Sequence, residues 1–449
     1  VNNLSKYPAL RVNSNEESVY IRKNQVMGTL TEYNGVTNLV NQIKESIHNK
    51  QVLTDRELSS DRVAQLYSIL EIETFVPKDQ QSSAKSVLEK FSDSIALDND
   101  ELTQTNAATF SINTGNERPI NMQPRRTALA LQDEYKKQIE QCLSNGVMEE
   151  TTSPWSAPAL MVRKPNNKWR MCVDYRKLND ITKSDAYALP NMEEMIDRLS
   201  GKKIFTSIDL LSGFWQIKAD KETQEKLAFS TPFGQYTWTV MPFGVKTAPA
   251  TFQRMMDKVL GWGRDGDSQA YLDDCIVDSD TWEDHWLSLD NTFSKLQAAN
   301  LKVKAEKVKL GRSEIQFLGH TISFNSVKPG ENNRSALLGI LEIQPRKIKD
   351  VERIFGVLNW SRKFVKNFAE KAEPISSLLQ YRNKTGINIE KFWTEEVNQA
   401  RSLIVNEILR ETTELGIVDL TKNIYLVSDA SDLACGAHIY QERRAVIKH

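Results

Sequence analysis

The sequence predicts an α+β fold, in which short strands and helices follow one another without the regular alternation of a parallel α/β sheet. Two observations lead to this prediction. Apolar residues recur every three to four positions in some segments and form short runs or alternate in others. The chain has 449 residues, of which 40% are hydrophobic and 26% charged. The length predicts several domains, and the hydrophobic and charged fractions are those of globular proteins rather than of a disordered chain.

Composition excludes several classes of protein. No stretch approaches the 18 or so apolar residues that a membrane-spanning helix needs. The 4 cysteines are far apart and form no CxxC pair, so a disulfide framework or a zinc site is not expected, and a reducing compartment is. The first residue is Val1 and no signal peptide follows, so we expect a piece of a longer protein.

Charge is unevenly distributed, although the net charge is only −1. Residues 51–117 carry about seven more acidic than basic groups, and residues 301–372 about eight more basic than acidic groups. A basic segment of this kind can bind along a phosphate backbone. An ordinary solvated surface has the same pattern, so charge alone does not decide between them.

The N-terminal part predicts little regular structure. Residues 19–30 indicate two short strands around Lys23 and Asn24. Residues 36–81 are polar, acidic and helix-favouring, and we expect a connector of loosely packed helices.

The elements that follow are better defined. A helix is predicted within 127–150 and should stop at Gly146. A hairpin (159–163 and 170–173, with its turn at 165–167), a helix (191–199) and a strand (204–208) ending at Asp209 come next. Strands are then predicted at 214–218, 227–230 and 236–240, helices at 248–260 and 281–300, and two apolar runs at 270–272 and 275–277.

The two apolar runs are joined through Asp273 and Asp274. Adjacent carboxylates between buried strands repel each other and resist desolvation unless a cation neutralises them. Hard oxygen ligands suit Mg²⁺. A solvated Asp-Asp turn is the alternative. Asp209 strengthens the metal interpretation, because a carboxylate at the end of one strand can meet a turn that follows a neighbouring strand. Two metals roughly 3.5–4 Å apart need shared carboxylates from separate segments, and this arrangement could supply them.

Other acids in this part of the sequence are Asp220, Asp257 and Asp278. We expect each of them to lie on a solvated face.

Six blocks carry a family resemblance. They are 153–158 (SPWSAP), 169–179 (WRMCVDYRKLN), 207–210 (SIDL), 241–249 (MPFGVKTAP), 271–274 (YLDD) and 317–320 (FLGH). Block 271–274 resembles the polymerase turn of reverse transcriptases. The surrounding blocks resemble those of gypsy-type long-terminal-repeat retrotransposons, over residues 110 to the C-terminus.

The resemblance implies a right-hand polymerase with fingers, palm, thumb and connection, followed by a truncated RNase H-like α/β start. Its expected divisions are a tail that follows a protease region (1–35), an acidic helical connector (36–109), fingers and palm (110–323), thumb and connection (324–415) and the RNase H start (416–449).

For the metals, the resemblance implies that Asp209, Asp273 and Asp274 hold two Mg²⁺ or Mn²⁺ ions, with the carbonyl of Leu210 completing one coordination shell. Lys307 takes the place of a lysine proposed as general acid to the pyrophosphate. Its close neighbours Lys302, Lys304 and Lys309 keep that assignment open.

For the nucleotide, the resemblance implies that Lys164 and Arg170 grip the triphosphate, as an ammonium and a planar guanidinium can. Arg163 is an alternative to Lys164, because the loop is about one residue shorter than in retroviral relatives. Phe214 falls where an aromatic gate rejects the ribose 2′-hydroxyl, although a buried Phe is ordinarily part of a core.

Phe243 and Gly244 would lie beneath the nascent base pair, with Gly244 allowing close approach of the backbone. Retroviral enzymes often have Gln in place of Phe243. His320 lies in a block that resembles the primer-grip hairpin, where we expect a structural role. Residues 347–368 are amphipathic and basic and resemble the helical segment that holds a duplex by its backbone.

Both ends of the chain resemble parts of neighbouring domains. Residues 425–431 and 436–441 resemble the first two strands of an RNase H domain, with Asp429 as its first metal ligand. The remaining carboxylates would lie beyond residue 449, so we expect no RNase H chemistry. Residues 19–30 resemble the tail after an aspartic protease. Neither Asp-Thr-Gly nor Asp-Ser-Gly occurs, and no integrase-type zinc pattern is present.

The expected activity is therefore RNA- and DNA-directed DNA synthesis, with RNA and DNA template-primers and deoxynucleoside triphosphates as substrates and partners. The resemblance implies a Pol polyprotein with protease and integrase, a cytoplasmic virus-like particle with possible access to the nucleus, and no membrane. A monomer and a homodimer both remain open. The alternatives are a catalytically silent, nucleic-acid-binding Pol fragment and a reverse transcriptase of intron-encoded or telomerase-like type.

Overall fold

The computed structural model describes residues 11–14, 17–20, 55–164, 167–199, 201–261, 268–324, 326–384, 386–410, 415–416, 423, 425–430 and 435–440. The chain forms two compact units, residues 1–59 and 60–449. In the first unit, strands β1 (Arg11–Ser14) and β2 (Glu17–Tyr20) pair in antiparallel fashion. Most of the segment predicted to form two strands, 19–30, lies outside the described residues.

The segment that begins at Asp55 is firmly packed from residue 61 onward. It contains helices α1 (Asp55–Ile69), α2 (Ile72–Phe75) and α3 (Gln81–Phe91), followed by strand β3 (Ile95–Ala96). The expectation of loosely packed helices is wrong for the described residues, because Leu66 and Leu88 are 0% exposed and belong to the largest apolar core. Phe91 stacks on Phe293, with ring centroids 5.5 Å apart. Tertiary contacts with a distant segment therefore bury what appeared to be a polar connector.

The elements of the central region, in chain order, are β4 (Thr109–Phe110), α4 (Gln132–Ser144), β5 (Met148–Glu150), β6 (Ala157–Arg163), β7 (Trp169–Val173), α5 (Arg176–Ile181), α6 (Met192–Leu199), β8 (Ile204–Asp209), β9 (Lys218–Ala219), α7 (Lys221–Lys226), β10 (Phe229–Thr231), β11 (Gly234–Trp238), α8 (Ala248–Leu260), β12 (Gln269–Tyr271), β13 (Asp274–Ser279), α9 (Trp282–Ala298), β14 (Val303–Lys304) and β15 (Lys309–Arg312).

Two sheets organise this region. A five-stranded sheet has the order β5-β11-β10-β6-β7, so β7 is an outer strand. A four-stranded sheet has the order β12-β13-β8-β15, and helices α8 and α9 pack against its strands. The predicted hairpin is confirmed as β6 and β7, with Arg163 opposite Trp169. The predicted helix at 248–260 is confirmed with both of its ends.

The predicted strand at 214–218 is wrong. Residues Gly213–Gln216 form a turn of 3₁₀-helix, and the strand that follows consists only of Lys218 and Ala219. The cause is tertiary packing: a Cβ atom on Gly213 would lie 2.9 Å from the ring of Phe252. Glycine therefore allows helix α8 to approach the backbone here, and the chain coils over the Phe252 ring rather than extending.

The C-terminal elements, in chain order, are β16 (Glu314–Phe317), β17 (His320–Ser323), β18 (Ser326–Pro329), α10 (Glu331–Leu341), α11 (Ile348–Trp360), α12 (Phe368–Ser376), α13 (Glu395–Leu409), β19 (Leu415–Gly416), β20 (Tyr425–Ala430) and β21 (Cys435–Tyr440). Strands β16 to β19 form a four-stranded antiparallel sheet. Strands β20 and β21 correspond to the two strands predicted at 425–431 and 436–441, and they pair in antiparallel fashion with Asp429 opposite Gly436. Among the described residues, no helix is both long and apolar enough to cross a lipid bilayer.

Three apolar clusters hold the second unit together. The largest lies under the two central sheets, and another lies among helices α10 to α13. The third is small and joins these parts, because it contains Phe205 and Ile276 from the four-stranded central sheet, Phe317 from β16 and Phe364 from the turn after α11. Tyr271 packs against the same cluster. We call it the junction cluster.

Candidate active site

Two acidic residues face each other at one end of the central four-stranded sheet. Strand β8 ends at Asp209 and β13 begins at Asp274, and the antiparallel register places them directly opposite one another. Asp273 lies in the two-residue turn that joins β12 to β13. Directly opposed residues in an antiparallel pair have Cβ atoms about 4.5–5.5 Å apart. The sheet therefore brings together acids from two segments that are far apart in sequence.

Lys307 supplies a positive charge to this cluster. Its Nζ donates to both carboxylate oxygens of Asp209, at 2.8 Å each. Of its neighbours, Lys302 donates to the carbonyl of Asp93, and Lys304 pairs with Glu306. The structure thus distinguishes Lys307 from these two lysines, which the sequence alone could not do.

Burial and mutual repulsion raise the pKa of two of these acids. Burial raises the pKa of Asp209 above its ordinary value, Lys307 partly offsets this rise, and repulsion from Asp273 adds to it. Burial, followed by repulsion from Asp273 and Asp209, raises the pKa of Asp274 to about 6. Carboxylates in such a cluster resist ionisation until a cation neutralises them.

The donor set fits divalent cations that prefer oxygen ligands. Within the described residues, no three or more His, Cys, Asp or Glu side chains are already arranged as a formed metal site. One partner of Asp209 is instead an ammonium, which satisfies both of its oxygens. Three carboxylates at one end of the sheet provide the hard, anionic ligands that Mg²⁺ and Mn²⁺ bind.

Gln253 holds the turn that carries Asp273, and the sequence analysis did not identify it. Its Oε1 accepts from the backbone N–H of Leu272 at 2.7 Å, and its Nε2 donates to the carbonyl of Ala270 at 3.0 Å. Leu272 has φ +54°, a left-handed conformation that costs energy for a non-glycine residue. Gln253 is 0% exposed. A glutamine on the apolar face of the predicted helix was the one signal that could have revealed it.

Three aromatic rings and one guanidinium form a stack that includes Phe214, five residues after Asp209 in the sequence. The ring of Phe214 lies between Phe243, at a centroid distance of 5.1 Å, and Phe252, at 5.2 Å. The guanidinium of Arg170 lies 4.6 Å from the centre of the Phe243 ring. Phe243 is 45% exposed. The structure therefore brings together three of the residues that the resemblance assigns to nucleotide binding.

The segment that follows Phe243 is held by Asn179. Gly244 has φ +89°, and its carbonyl accepts from Nδ2 of Asn179 at 2.8 Å. The Oδ1 of Asn179 accepts from the backbone N–H of Lys246, also at 2.8 Å. A Cβ atom on Gly244 would meet its neighbours only at ordinary distances. Glycine is therefore favoured here by its backbone conformation.

Lys164 lies beyond the end of β6, at the tip of the β6–β7 hairpin. It is exposed, and its backbone N–H donates to the carbonyl of Lys168 at 2.7 Å. Arg163 is exposed as well. The choice between Arg163 and Lys164 as a phosphate ligand stays a prediction.

Leu210 directly follows Asp209 and has a buried side chain, which belongs to the main core. It forms a bridge with Val303 on the neighbouring strand β14. The role expected for its carbonyl group stays a prediction. The side chain of Asp429 lies outside the described residues, so its role also stays a prediction.

His320 is enclosed by aromatic rings. It is 5% exposed, its ring centroid lies 4.6 Å from that of Trp360, and its Nδ1 is 3.0 Å from the carbonyl of Leu318. Burial, together with repulsion from Lys363, lowers the pKa of His320 to about 4. A neutral, packed imidazole agrees with the structural role that we expected.

One acid departs from its predicted environment. Asp278 was expected on a solvated face, but its side chain is only 9% exposed. Burial raises its pKa to about 6, although Lys202 acts in the opposite direction. Asp278 lies on β13, opposite Phe205 of β8. The expectation was wrong because a sheet, not a solvated loop, surrounds this position.

Comparisons with known proteins agree with this geometry. Residues 162–322 match a family described as reverse transcriptase (RNA-dependent DNA polymerase). The foamy viral protease-reverse transcriptase solved with double-stranded DNA has a TM-score of 0.73 and 25% identity, covering 85% of this chain and 65% of that one. Its structure with an RNA/DNA hybrid gives a TM-score of 0.71 at 24% identity, covering 85% and 50%. The fold is that of a right-hand polymerase of the reverse transcriptase class.

Curated relatives narrow the class. The retrovirus-related Pol polyprotein from transposon 297 of Drosophila melanogaster is 36% identical over 363 residues, covering 80% of this chain and 33% of the relative. The Tf2-3 polyprotein of Schizosaccharomyces pombe is 32% identical over 305 residues, covering 68% and 22%. The chain thus spans about a third or less of these relatives. It is related to the Pol polyproteins of retrotransposons, and its residues 162–322 match the reverse transcriptase family.

Proposed function

We propose that this chain is an RNA- and DNA-directed DNA polymerase of a retrotransposon, which transfers deoxynucleotides from their triphosphates to a primer 3′-hydroxyl. One observation carries the proposal. Asp209 and Asp274 face each other across two paired strands, with Asp273 in the adjoining turn. Placement of three mutually repelling acids at one point is costly for folding alone, and binding of a cation would offset this cost.

Asp209, Asp273 and Asp274 would hold two Mg²⁺ or Mn²⁺ ions, with the carbonyl of Leu210 as a further ligand. Bound ions of this type lower the pKa of a hydroxyl nucleophile and neutralise the charge of a leaving pyrophosphate. In the absence of nucleotide, the ammonium of Lys307 is paired with Asp209, 2.8 Å from both oxygens. When a nucleotide is bound, Lys307 would serve as general acid to the pyrophosphate.

The β6–β7 hairpin and the aromatic stack would hold the nucleotide at the parts that the metal ions do not contact. Arg170, with Lys164 or Arg163, would bind the triphosphate, since a guanidinium matches the geometry of phosphate oxygens. The ring of Phe214 would lie under the sugar and clash with a ribose 2′-hydroxyl. Phe243 and Gly244 would lie beneath the new base pair.

The partners follow from the same assignment. Residues 301–372 are rich in Lys and Arg and would hold an RNA or DNA template-primer by its phosphates. We further propose that β20, which carries Asp429, belongs to the start of an RNase H-like domain. The natural setting would be a Pol polyprotein with protease and integrase, in a cytoplasmic virus-like particle.

Primer extension tests the proposal. Wild-type protein should extend oligo-dT on poly-rA with deoxythymidine triphosphate in Mg²⁺ or Mn²⁺. Asp273→Asn should lose extension while its binding to the same template-primer, measured by fluorescence anisotropy, is retained. Binding without extension in either metal would instead identify a silent nucleic-acid-binding fragment.

A further inference from the structure

The outer edge of strand β7 is covered by a side chain rather than by another strand. β7 is the last strand of the five-stranded sheet, and helix α4 packs beside it. Gln138 of α4 donates from Nε2 to the carbonyl of Trp169 at 3.0 Å and accepts at Oε1 from the N–H of Met171 at 2.8 Å. Its amide thus pairs with the strand as a one-residue neighbour would.

The orientation of this amide is fixed by a second acceptor. Nε2 of Gln138 also donates to Oε1 of Glu134, one turn earlier on α4, at 2.7 Å. Both N–H groups of the amide therefore have acceptors, and the oxygen has a donor. A flipped amide would place its oxygen against a carboxylate and a carbonyl, so the flipped arrangement is strongly disfavoured.

Arg170 is the residue enclosed between the two hydrogen-bonded positions. Its guanidinium lies over the Phe243 ring, and Phe243 stacks on Phe214. A long arginine side chain reaches a defined point only if the backbone from which it starts is held. The two hydrogen bonds to Gln138 hold the backbone on both sides of Arg170.

We propose that Gln138 is a positioning residue for nucleotide binding, which acts by fixing Arg170 where it meets the triphosphate. The inference rests on the proposed function in one respect, the assignment of Arg170 to the triphosphate. Gln138 itself touches neither substrate nor metal. The same device recurs at Gln253, which encloses Tyr271 between Ala270 and Leu272.

The test uses Gln138→Met, which keeps the length of the side chain but removes its hydrogen bonds. The KM for deoxythymidine triphosphate should rise roughly five-fold, the size expected for loss of one or two neutral hydrogen bonds, with kcat nearly unchanged. Gln141→Met is the matched control, because Gln141 lies on the same helix and is exposed. Its KM should equal that of the wild type.

A double-mutant cycle separates positioning from general loosening of the fold. In an Arg170→Ala background, Gln138→Met should change KM by less than about 1.5-fold, since the residue through which it acts is gone. An equal rise in KM in both backgrounds would overturn the proposal, and so would an unchanged KM in the wild-type background.

Amide hydrogen exchange gives a readout that does not depend on activity. The N–H of Met171 should exchange faster in Gln138→Met than in the wild type or in Gln141→Met. Unchanged exchange would show that the hydrogen bonds of Gln138 do not hold the backbone around Arg170. If wild-type protein extends no primer, the polymerase assignment fails, and the exchange rate still decides whether Gln138 holds the strand.

Discussion

The ammonium of Lys307 and the carboxylate of Asp209 form a two-point ion pair, with Nζ at 2.8 Å from each oxygen. The side chain of Asp209 is 17% exposed and that of Lys307 is 53% exposed. Lys307 can therefore leave Asp209 and return to water at little cost in free energy, whereas the more buried carboxylate of Asp209 needs a positive partner. A lysine and a divalent cation would compete for the same oxygens.

Removal of this competitor should tighten metal binding and slow catalysis. We expect Lys307→Gln to bind Mn²⁺ about two- to five-fold more tightly in calorimetry without nucleotide, the range of a partly exposed ion pair. Loss of the general acid should slow extension by about a hundred-fold. Lys309→Gln, an exposed neighbour, is the control. Unchanged Mn²⁺ affinity would contradict the competition.

The turn that carries Asp273 should depend on Gln253. Gln253→Met leaves the N–H of Leu272 without its acceptor, and a buried unsatisfied donor costs about 1–3 kcal/mol. We expect that loss in urea unfolding, together with a lower kcat and an unchanged Kd for template-primer. Lys258→Met, on the exposed side of the same helix, removes only an exposed hydrogen bond to the carbonyl of Ala107 and should affect neither quantity. A stability loss with full kcat would show that Gln253 supports the fold alone.

Sugar discrimination should depend on the ring of Phe214. Phe214→Val should lower the preference for deoxynucleoside over ribonucleoside triphosphates by about ten- to a hundred-fold, measured as the ratio of kcat/KM values. Phe243→Leu keeps the Phe214 ring but removes the cation–ring contact with Arg170. It should raise KM for both sugars equally. Preserved discrimination in Phe214→Val would exclude the gate.

His285 should make a contribution to stability that is lost in mild acid. This residue is 0% exposed, and burial lowers its pKa from 6.5 to about 4. Between these values the unfolded chain binds a proton that the folded chain does not, so the free energy of unfolding decreases as the pH falls from about 6.5 to about 4. The full contribution is about 3 kcal/mol.

His285→Gln isolates this contribution. Its loss of stability between pH 7 and pH 4.5, from urea unfolding, should be smaller than that of the wild type. The raised pKa of Asp274 acts in the opposite direction, because its protonation below about pH 6 stabilises the folded state. That contribution is present in both proteins and cancels in the comparison. Equal pH dependence of the two proteins would rule out His285 as the titrating group.

Elements with a strong local signal were predictable from the sequence. The helix at 248–260 follows from its apolar spacing and from a Pro near its first turn, and the strand ending at Asp209 follows from its apolar run. The sequence could predict that Asp209 lies near the acidic turn only if the two strands pair. The structure shows that they do, and the register places Asp209 opposite Asp274.

Contacts set by tertiary packing were not predictable. Gln138 and Gln253 resemble ordinary polar residues of helices until the strands they pair with are placed beside them. The apolar run after Gly213 has the composition of a strand, but it forms a turn of 3₁₀-helix close to the ring of Phe252, which is far away in sequence. The burial of Asp278 likewise depends on a neighbouring strand.

The junction cluster has a mechanical consequence. Phe364, from the helical C-terminal part, is buried among the same side chains that support Tyr271, next to the acidic turn. Close-packed side chains transmit displacement rather than absorb it. A displacement of Phe364, in the turn after helix α11, would therefore reach Tyr271 and the neighbouring acidic turn through the side chains of the junction cluster.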